Sequence, residues 1–208
     1  MMDAAENLLP QPTPASEQQP GWLTAFEQDG LVVLPNYLAA DLTDRLLHEV
    51  KAQAELTPAA IGRGQQRQHA RSIRRDKTCW LNGTSLPQQH YMLALNAILA
   101  QLNRHFFLGL TGYECHFAHY QPGDFYRTHL DAFHQQASRR VTSVCYLNDV
   151  HQGGELVVYR GDTEWLRLPP RAGTLILFES SRYPHEVTPT QQDRYSIAGW
   201  FRRDELPL

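Results

Sequence analysis

The sequence predicts a mainly β protein, a two-sheet sandwich or barrel with helices packed on the outside of one sheet. Three observations carry this. After Gly109 no helical periodicity remains, and short apolar runs alternate with turn signals to the end of the chain. Before Gly109 apolar residues recur at helical spacing in two long stretches. The helices come first and the strands after, an order that places helices on one face of a finished sheet.

The elements follow in order. Residues 1–20 hold Pro10, Pro12, Pro14 and Pro20 among Gln, Ser and Glu, and read as a disordered tail with too little apolar surface to offset ordering entropy. One folded domain is expected from Gly21 to residue 208. GWLTAFEQDG reads as a short helix closed by Gly30, and LVVLPNYL as a strand limited by Pro35. ADLTDRLLHEVKAQAEL places Leu42, Leu46, Leu47, Val50 and Ala54 at helical spacing, with Asp41 as N-cap. PQQHYMLALNAILAQLNRHFF is a second amphipathic helix carrying Leu95, Ile98, Leu99, Leu102 and Phe106 on one stripe, with Pro87 near its start. Seven or eight strands follow: YECHFAHY, the end of a strand at YRTHLDAF, RVTSVCYL, ELVVYR, EWLRLPP, GTLILFE, HEVTP and RYSIAGWF. The turn signals between them include QPGD, HQGG and GD.

Composition narrows the function. The chain has 208 residues, is 42% apolar and 20% charged, and carries a net charge of −3, which argues against binding nucleic acid or a membrane surface by bulk charge. No apolar run reaches membrane-spanning length, and the N-terminus lacks the basic and apolar regions of a secretory signal. Three scattered cysteines, Cys79, Cys115 and Cys145, fit a reducing compartment, so a cytoplasmic protein is expected. One stretch stands apart. Residues 62–77 carry Arg63, Arg67, Arg71, Arg74, Arg75 and Lys77 against the single acid Asp76. The residues leave two readings open, a solvated loop or a basic flap over a charged partner.

His129 and Asp131 are two apart, and alternate residues of a strand share a face. A second imidazole from a distant strand, His185 in PHEV, would complete a triangle of donors. Two histidines and one carboxylate on one face are the ligand set of non-haem Fe(II) oxygenases, with three positions open for a 2-oxo acid and O₂. His134 is a competing third ligand. His116 and His119 are three apart on opposite strand faces and make poor joint ligands; the remaining histidines read as surface or helix residues. Nine residues after His185 comes Arg194, and a hairpin would bring both to one cavity, where a buried guanidinium calls for an anionic ligand. An ordinary β-sandwich with polar interior residues remains the alternative.

These residues resemble the Fe(II)/2-oxoglutarate-dependent prolyl hydroxylases, in particular the oxygen-sensing subgroup and its bacterial relatives. The resemblance covers residues 22–203 and rests on IRRDKTCWL, HYQPGDFYRTHLD, YLNDVHQGGELVVY and RYPHEVTPTQQDRYSIAGWF in order and spacing. It implies a double-stranded β-helix of the jelly-roll type, with iron held by His129, Asp131 and His185, and with Arg194 and the Tyr146 phenol on the far carboxylate of 2-oxoglutarate. It implies Tyr120, Tyr126 and Trp200 around the target proline, although plain aromatic packing is an equal alternative for these three. Residues 62–76, with Arg74 and Asp76, match a mobile loop over the protein substrate. Asp76 and Arg139 fall where that subgroup pairs an acid with an arginine. Ala198 departs from the threonine of the animal enzymes, and AFHQQASRR differs in composition. The implied reaction is hydroxylation of a protein prolyl residue with Fe(II), 2-oxoglutarate and O₂, ascorbate as activator, and elongation factor Tu as the target. Action on a free small molecule is disfavoured by the long basic stretch. Action on a nucleic acid is disfavoured by that stretch's lack of aromatics, and a non-catalytic binding module by the intact ligand set.

Overall fold

The computed structural model describes residues 21–53, 56–59, 71–132 and 138–204. The tail at 1–20, the basic residues 62–70 and the loop carrying His134 lie outside the described residues.

Helix α1 (Gly21–Asp29) ends at Gly30, whose φ of 66° is open to glycine without strain. Strand β1 (Leu31–Leu34) stops before Pro35. Helix α2 (Ala40–Ala52) begins one residue before the expected cap. Its N-cap is Ala39 with no side-chain bond, while Asp41 sits in the first turn and pairs with Arg45 at 2.5 Å. Helix α3 (Leu86–Phe106) is capped by Ser85, whose hydroxyl accepts from the Gln88 amide, with Pro87 in its first turn. Glu49 of α2 locks the two helices together, accepting from the Ser85 hydroxyl at 2.7 Å and from the Gln88 side chain at 2.5 Å.

The strands form two antiparallel sheets. The larger runs β1-β9-β6-β11-β4-β3-β2 and the smaller β5-β10-β7-β8. Their ranges are β2 (Thr57–Pro58), β3 (Lys77–Trp80), β4 (Gly112–Tyr120), β5 (Tyr126–His129), β6 (Arg139–Tyr146), β7 (Leu156–Arg160), β8 (Thr163–Leu168), β9 (Leu175–Glu179), β10 (His185–Val187) and β11 (Arg194–Arg202). The eight strands after Gly109 fall where the sequence places them. The additions are β2 and β3, which lengthen the large sheet beyond β4. The expected loop at 62–77 therefore ends early: Arg74 bridges to Tyr126, and Lys77 already belongs to β3.

Alternation along each strand divides the core in two. One face of the large sheet packs on the helices through Cys115, Phe117, Val141, Cys145, Leu175, Leu177, Ile197 and Phe201, against Leu46, Val50, Leu95, Ile98 and Leu102. The other face looks into the space between the sheets through Ala118, Tyr120, Val144, Tyr146, Ile176 and Phe178, opposite Leu156, Val158 and Val187. This is a double-stranded β-helix with its helices on the outside of one sheet. Among the described residues no helix is long and apolar enough to cross a membrane, and the three cysteines form no disulfide.

Leu46 is fully buried where α2 meets the sheet. Leu46→Ala is expected to lower unfolding free energy by about 2–5 kcal/mol in urea titrations, the range for a core leucine that leaves a cavity.

Candidate active site

β5 and β10 pair antiparallel with His129 and His185 directly opposite, so both imidazoles leave the small sheet at one place. Asp131 is not on the strand. β5 ends at His129, and a bend carries Asp131 inward, fixed by the Ala132 amide donating to the Ser180 carbonyl. Asp131 thus joins the two imidazoles from a bend and not, as alternation along a strand predicts, from the strand itself. The three residues offer ligand atoms that all lie within 4.8 Å of one another.

Backbone carbonyls decide the tautomers. A carbonyl only accepts, so His129 Nδ1, at 2.8 Å from the Arg127 carbonyl, and His185 Nδ1, at 3.0 Å from the Tyr183 carbonyl, must both carry the proton. Each ring then turns its Nε2 toward Asp131, at 3.5 and 3.4 Å. Burial, and next the His129 ring, push the His185 imidazole down to about 4, so it stays neutral. Burial opposes charge on Asp131, but the imidazoles beside it hold its carboxyl well below the usual range. Thr142 donates to Asp131 at 2.8 Å and is itself joined to Ser180 at 2.9 Å. Two imidazole Nε2 atoms and a carboxylate face one another within 4.8 Å. A divalent cation is the group that fits this donor set.

Tyr126 stacks on His129 at 3.6 Å and is covered on its far side by the Arg74 guanidinium at 4.3 Å. Asp76 binds Arg74 through two bonds of 2.8 and 2.6 Å and raises it against the opposing pull of burial. The expected pairing of Asp76 with Arg139 is not what the described contacts show. Arg139 donates twice to Glu114, at 3.0 and 2.7 Å, and lies 3.5 Å over the Trp200 ring. Glu114 stands on β4, reaches Arg139 at the start of β6 across the intervening β11, and takes the role given to the loop acid.

Arg194 is 1% exposed. It reaches its position by a crossing between sheets rather than by a hairpin, since β10 belongs to the small sheet and β11 to the large one. Its Nε donates to the Gly154 carbonyl at 2.9 Å and its Nη1 to Ser196 at 3.0 Å, and its guanidinium lies 4.9 and 5.0 Å from the rings of Tyr120 and Tyr146. No carboxylate pairs with it among the described residues, so a buried cation awaits an anion. Gly154, with φ 74°, comes so close that a Cβ there would press on the Arg194 side chain. The Tyr146 hydroxyl donates to the Leu168 carbonyl at 3.1 Å and would have to turn to serve a ligand. Between Arg194 and Trp200 the inner face carries only Ser196 and Ala198, with Ala118 beside them, and small side chains leave room there.

A model of the 2OG-Fe(II) oxygenase superfamily matches residues 115–202. A prolyl-4-hydroxylase of Pseudomonas putida is 36% identical, with a TM-score of 0.80 over 88% of this chain and 98% of that one. The chain belongs to the Fe(II)/2-oxoglutarate-dependent prolyl hydroxylase family. Two more distant structures share its fold. A prolyl hydroxylase of Trichoplax adhaerens, solved with a hypoxia inducible factor peptide, is 23% identical with a TM-score of 0.78 over 88% of this chain and 87% of that one. The viral collagen prolyl hydroxylase of Paramecium Bursaria Chlorella virus-1 is 18% identical, at 0.63 over 86% and 98%. As a member of this family the enzyme uses Fe(II), 2-oxoglutarate and O₂, with ascorbate as typical activator.

The sequence did not point to Thr142, Ser180, Gly154 or Glu114, whose partners are distant in the chain, nor to Ser196, which alternation along β11 places on the same face as Arg194. It also passed over His116 as a functional residue. Burial pushes His116 down to about 4, with the nearby Arg74 charge next. Above pH 6.5 the two low-pKa imidazoles are neutral whether the chain is folded or not. As pH falls from 6.5 toward 4 the unfolded chain protonates first, so stability is lost by up to about 3 kcal/mol per imidazole. The urea midpoint of metal-free enzyme is expected to fall between pH 7 and 4.5, and to fall less in His116→Phe.

Proposed function

We propose that His129, Asp131 and His185 hold the iron, that Arg194 binds the far carboxylate of 2-oxoglutarate, and that the target is a proline of a protein, with elongation factor Tu as the specific candidate. The observation that carries the reading is the convergence of two imidazole Nε2 atoms on one carboxylate, with both Nδ1 atoms committed to backbone carbonyls. The acid-free buried guanidinium further inside the same inter-sheet space supports the cosubstrate assignment.

With its iron and cosubstrate bound, this family converts 2-oxoglutarate and O₂ to succinate and CO₂ and places the second oxygen atom on a prolyl carbon. This chain's residues supply the setting. The carbonyls of Arg127 and Tyr183 keep both imidazoles in the ligating tautomer. Thr142 holds the Asp131 carboxylate, and Tyr126 presses on one face of His129. Gly154 and Ser196 fix the guanidinium so that its remaining N–H groups face the pocket. Tyr120 and Trp200, at the two ends of the small-residue strip, bound the space in which the prolyl ring is held. Arg74, Asp76 and Arg139 shape the rim where the protein substrate enters. The scattered cysteines support a cytoplasmic enzyme.

Arg194→Ala is expected to raise the 2-oxoglutarate concentration needed for half-maximal turnover by at least about tenfold, the scale of one lost charge-assisted bond or more. Succinate formation against 2-oxoglutarate concentration measures it, and an unchanged requirement would assign that carboxylate to another base. The reaction itself is tested by mass spectrometry of elongation factor Tu incubated with enzyme, Fe(II), 2-oxoglutarate and ascorbate. One added oxygen on a proline, absent with His185→Ala, is the expected result. Turnover of 2-oxoglutarate with no oxygen on any protein proline would overturn the protein-substrate reading.

A further inference from the structure

We propose that the outward face of α3 binds a second copy of this chain, giving a dimer in which two α3 helices pack antiparallel. The proposal does not depend on the prolyl reading of the site.

α3 is apolar on two opposite sides. Its inner stripe of Tyr91, Leu95, Ile98 and Leu102 is buried in the core between the helices and the large sheet. Its outward face holds Leu86, Leu93, Ala97, Ala100 and Phe107, and of these Leu86, Leu93 and Phe107 are 57%, 54% and 86% exposed. A surface helix ordinarily carries charge on that side. Here the chain has no Asp, Glu, Lys or Arg from Thr78 to Asn103. Phe107 is the extreme case. It ends α3 at φ 53°, the left-handed backbone that glycine and asparagine adopt most readily, and its ring then stands in solvent. No described residue offsets either cost.

Three features select a second copy as the occupant. The first is spacing. Leu86, Leu93, Ala100 and Phe107 recur every seven residues, the interval that keeps a seam facing a partner helix. Turned end for end about a point between Asn96 and Ala97, the series falls on itself. Leu93 then meets Ala100 of the second copy, and Leu86 meets its Phe107. A large side chain over a small one lets the helix axes approach to about 8 Å. The second feature is polarity. A face with no charge along its length does not repel its own copy and offers a charged partner nothing. Asn96 lies at the centre, where its carboxamide can both donate to and accept from its counterpart. The third is area. The exposed seam offers roughly 500 Å² per copy, so about 1,000 Å² for the pair, the lower limit of a specific interface. Such a pairing is isologous and closes at two copies. It also leaves both metal triangles open, since α3 covers the face of the large sheet that looks away from the small one.

The test uses the full-length protein in analytical ultracentrifugation from nanomolar to high-micromolar concentration. The wild type should pass from one to two chain masses in the micromolar range. Leu93→Lys places a charge in the seam and should raise the dimer dissociation constant at least about thirtyfold, the effect of losing a central anchor. Because Leu93 is exposed, the urea midpoint at the lowest concentration and the turnover of 2-oxoglutarate should stay unchanged in that variant. Cross-linking reads the register. A mixture of Leu93→Cys and Ala100→Cys proteins should form a disulfide between copies on mild oxidation, beyond the wild-type background, and Leu93→Cys protein alone should not. A wild type that stays monomeric at high-micromolar concentration, a dimer that Leu93→Lys leaves intact, or cross-linking of Leu93→Cys alone overturns the proposal.

Discussion

The pairing register of β5 with β10 is the constraint on which the rest of this site depends. It sets His129 directly opposite His185. A slip of one residue would turn His185 to the other face of the small sheet and leave no triangle of donors. The register is held from both sides. β10 is clamped between β5 and β7, and Thr128 donates to Glu186 across the pair at 2.8 Å. The short strands carry little stabilisation of their own, and Leu156, Val158 and Val187 tie them to the large sheet through the inter-sheet core.

Around that fixed point the enzyme keeps charge where it is useful and suppresses it elsewhere. The His185 imidazole is neutral because burial penalises its protonation, and backbone carbonyls take the Nδ1 protons of both rings. The carboxylate is held charged against burial by the imidazoles beside it, and Thr142, joined to Ser180, donates to it. Deeper in, the guanidinium of Arg194 is positioned by groups that carry no negative charge, so its electrostatic demand is left for a ligand. At the rim the cations are treated differently. Arg74 and Arg139 each have their own acid and each cover an aromatic ring, and so serve as shaped walls more than as free charge.

Much of this was legible in the chain. Turn residues at QPGD and HQGG bounded the strands, and apolar spacing marked α2 and α3 with the face they bury. The ligand trio and Arg194 stood out because their residue types are expensive inside a β-fold unless they have a function. Failures arose where local rules met tertiary ones. Asp41 looked like a cap but lost that place to Ala39, the N-cap of a helix starting at Ala40. His116 was set aside as a ligand because its neighbour in sequence faced away, while its true neighbours, Trp80 and Trp200, come from other strands.

By itself the sequence determined the helices and the eight strands after Gly109, and it singled out His129, Asp131, His185 and Arg194 as candidates, since periodicity and residue cost are local properties. Only the tertiary structure decided that Arg194 arrives by changing sheets, that Glu114 and not Asp76 holds Arg139, and that Thr142 and Gly154 support the reacting groups. Those are facts of strand order and register, and cross-strand neighbours chosen by closure of two sheets leave no mark on the spacing of residues along one strand.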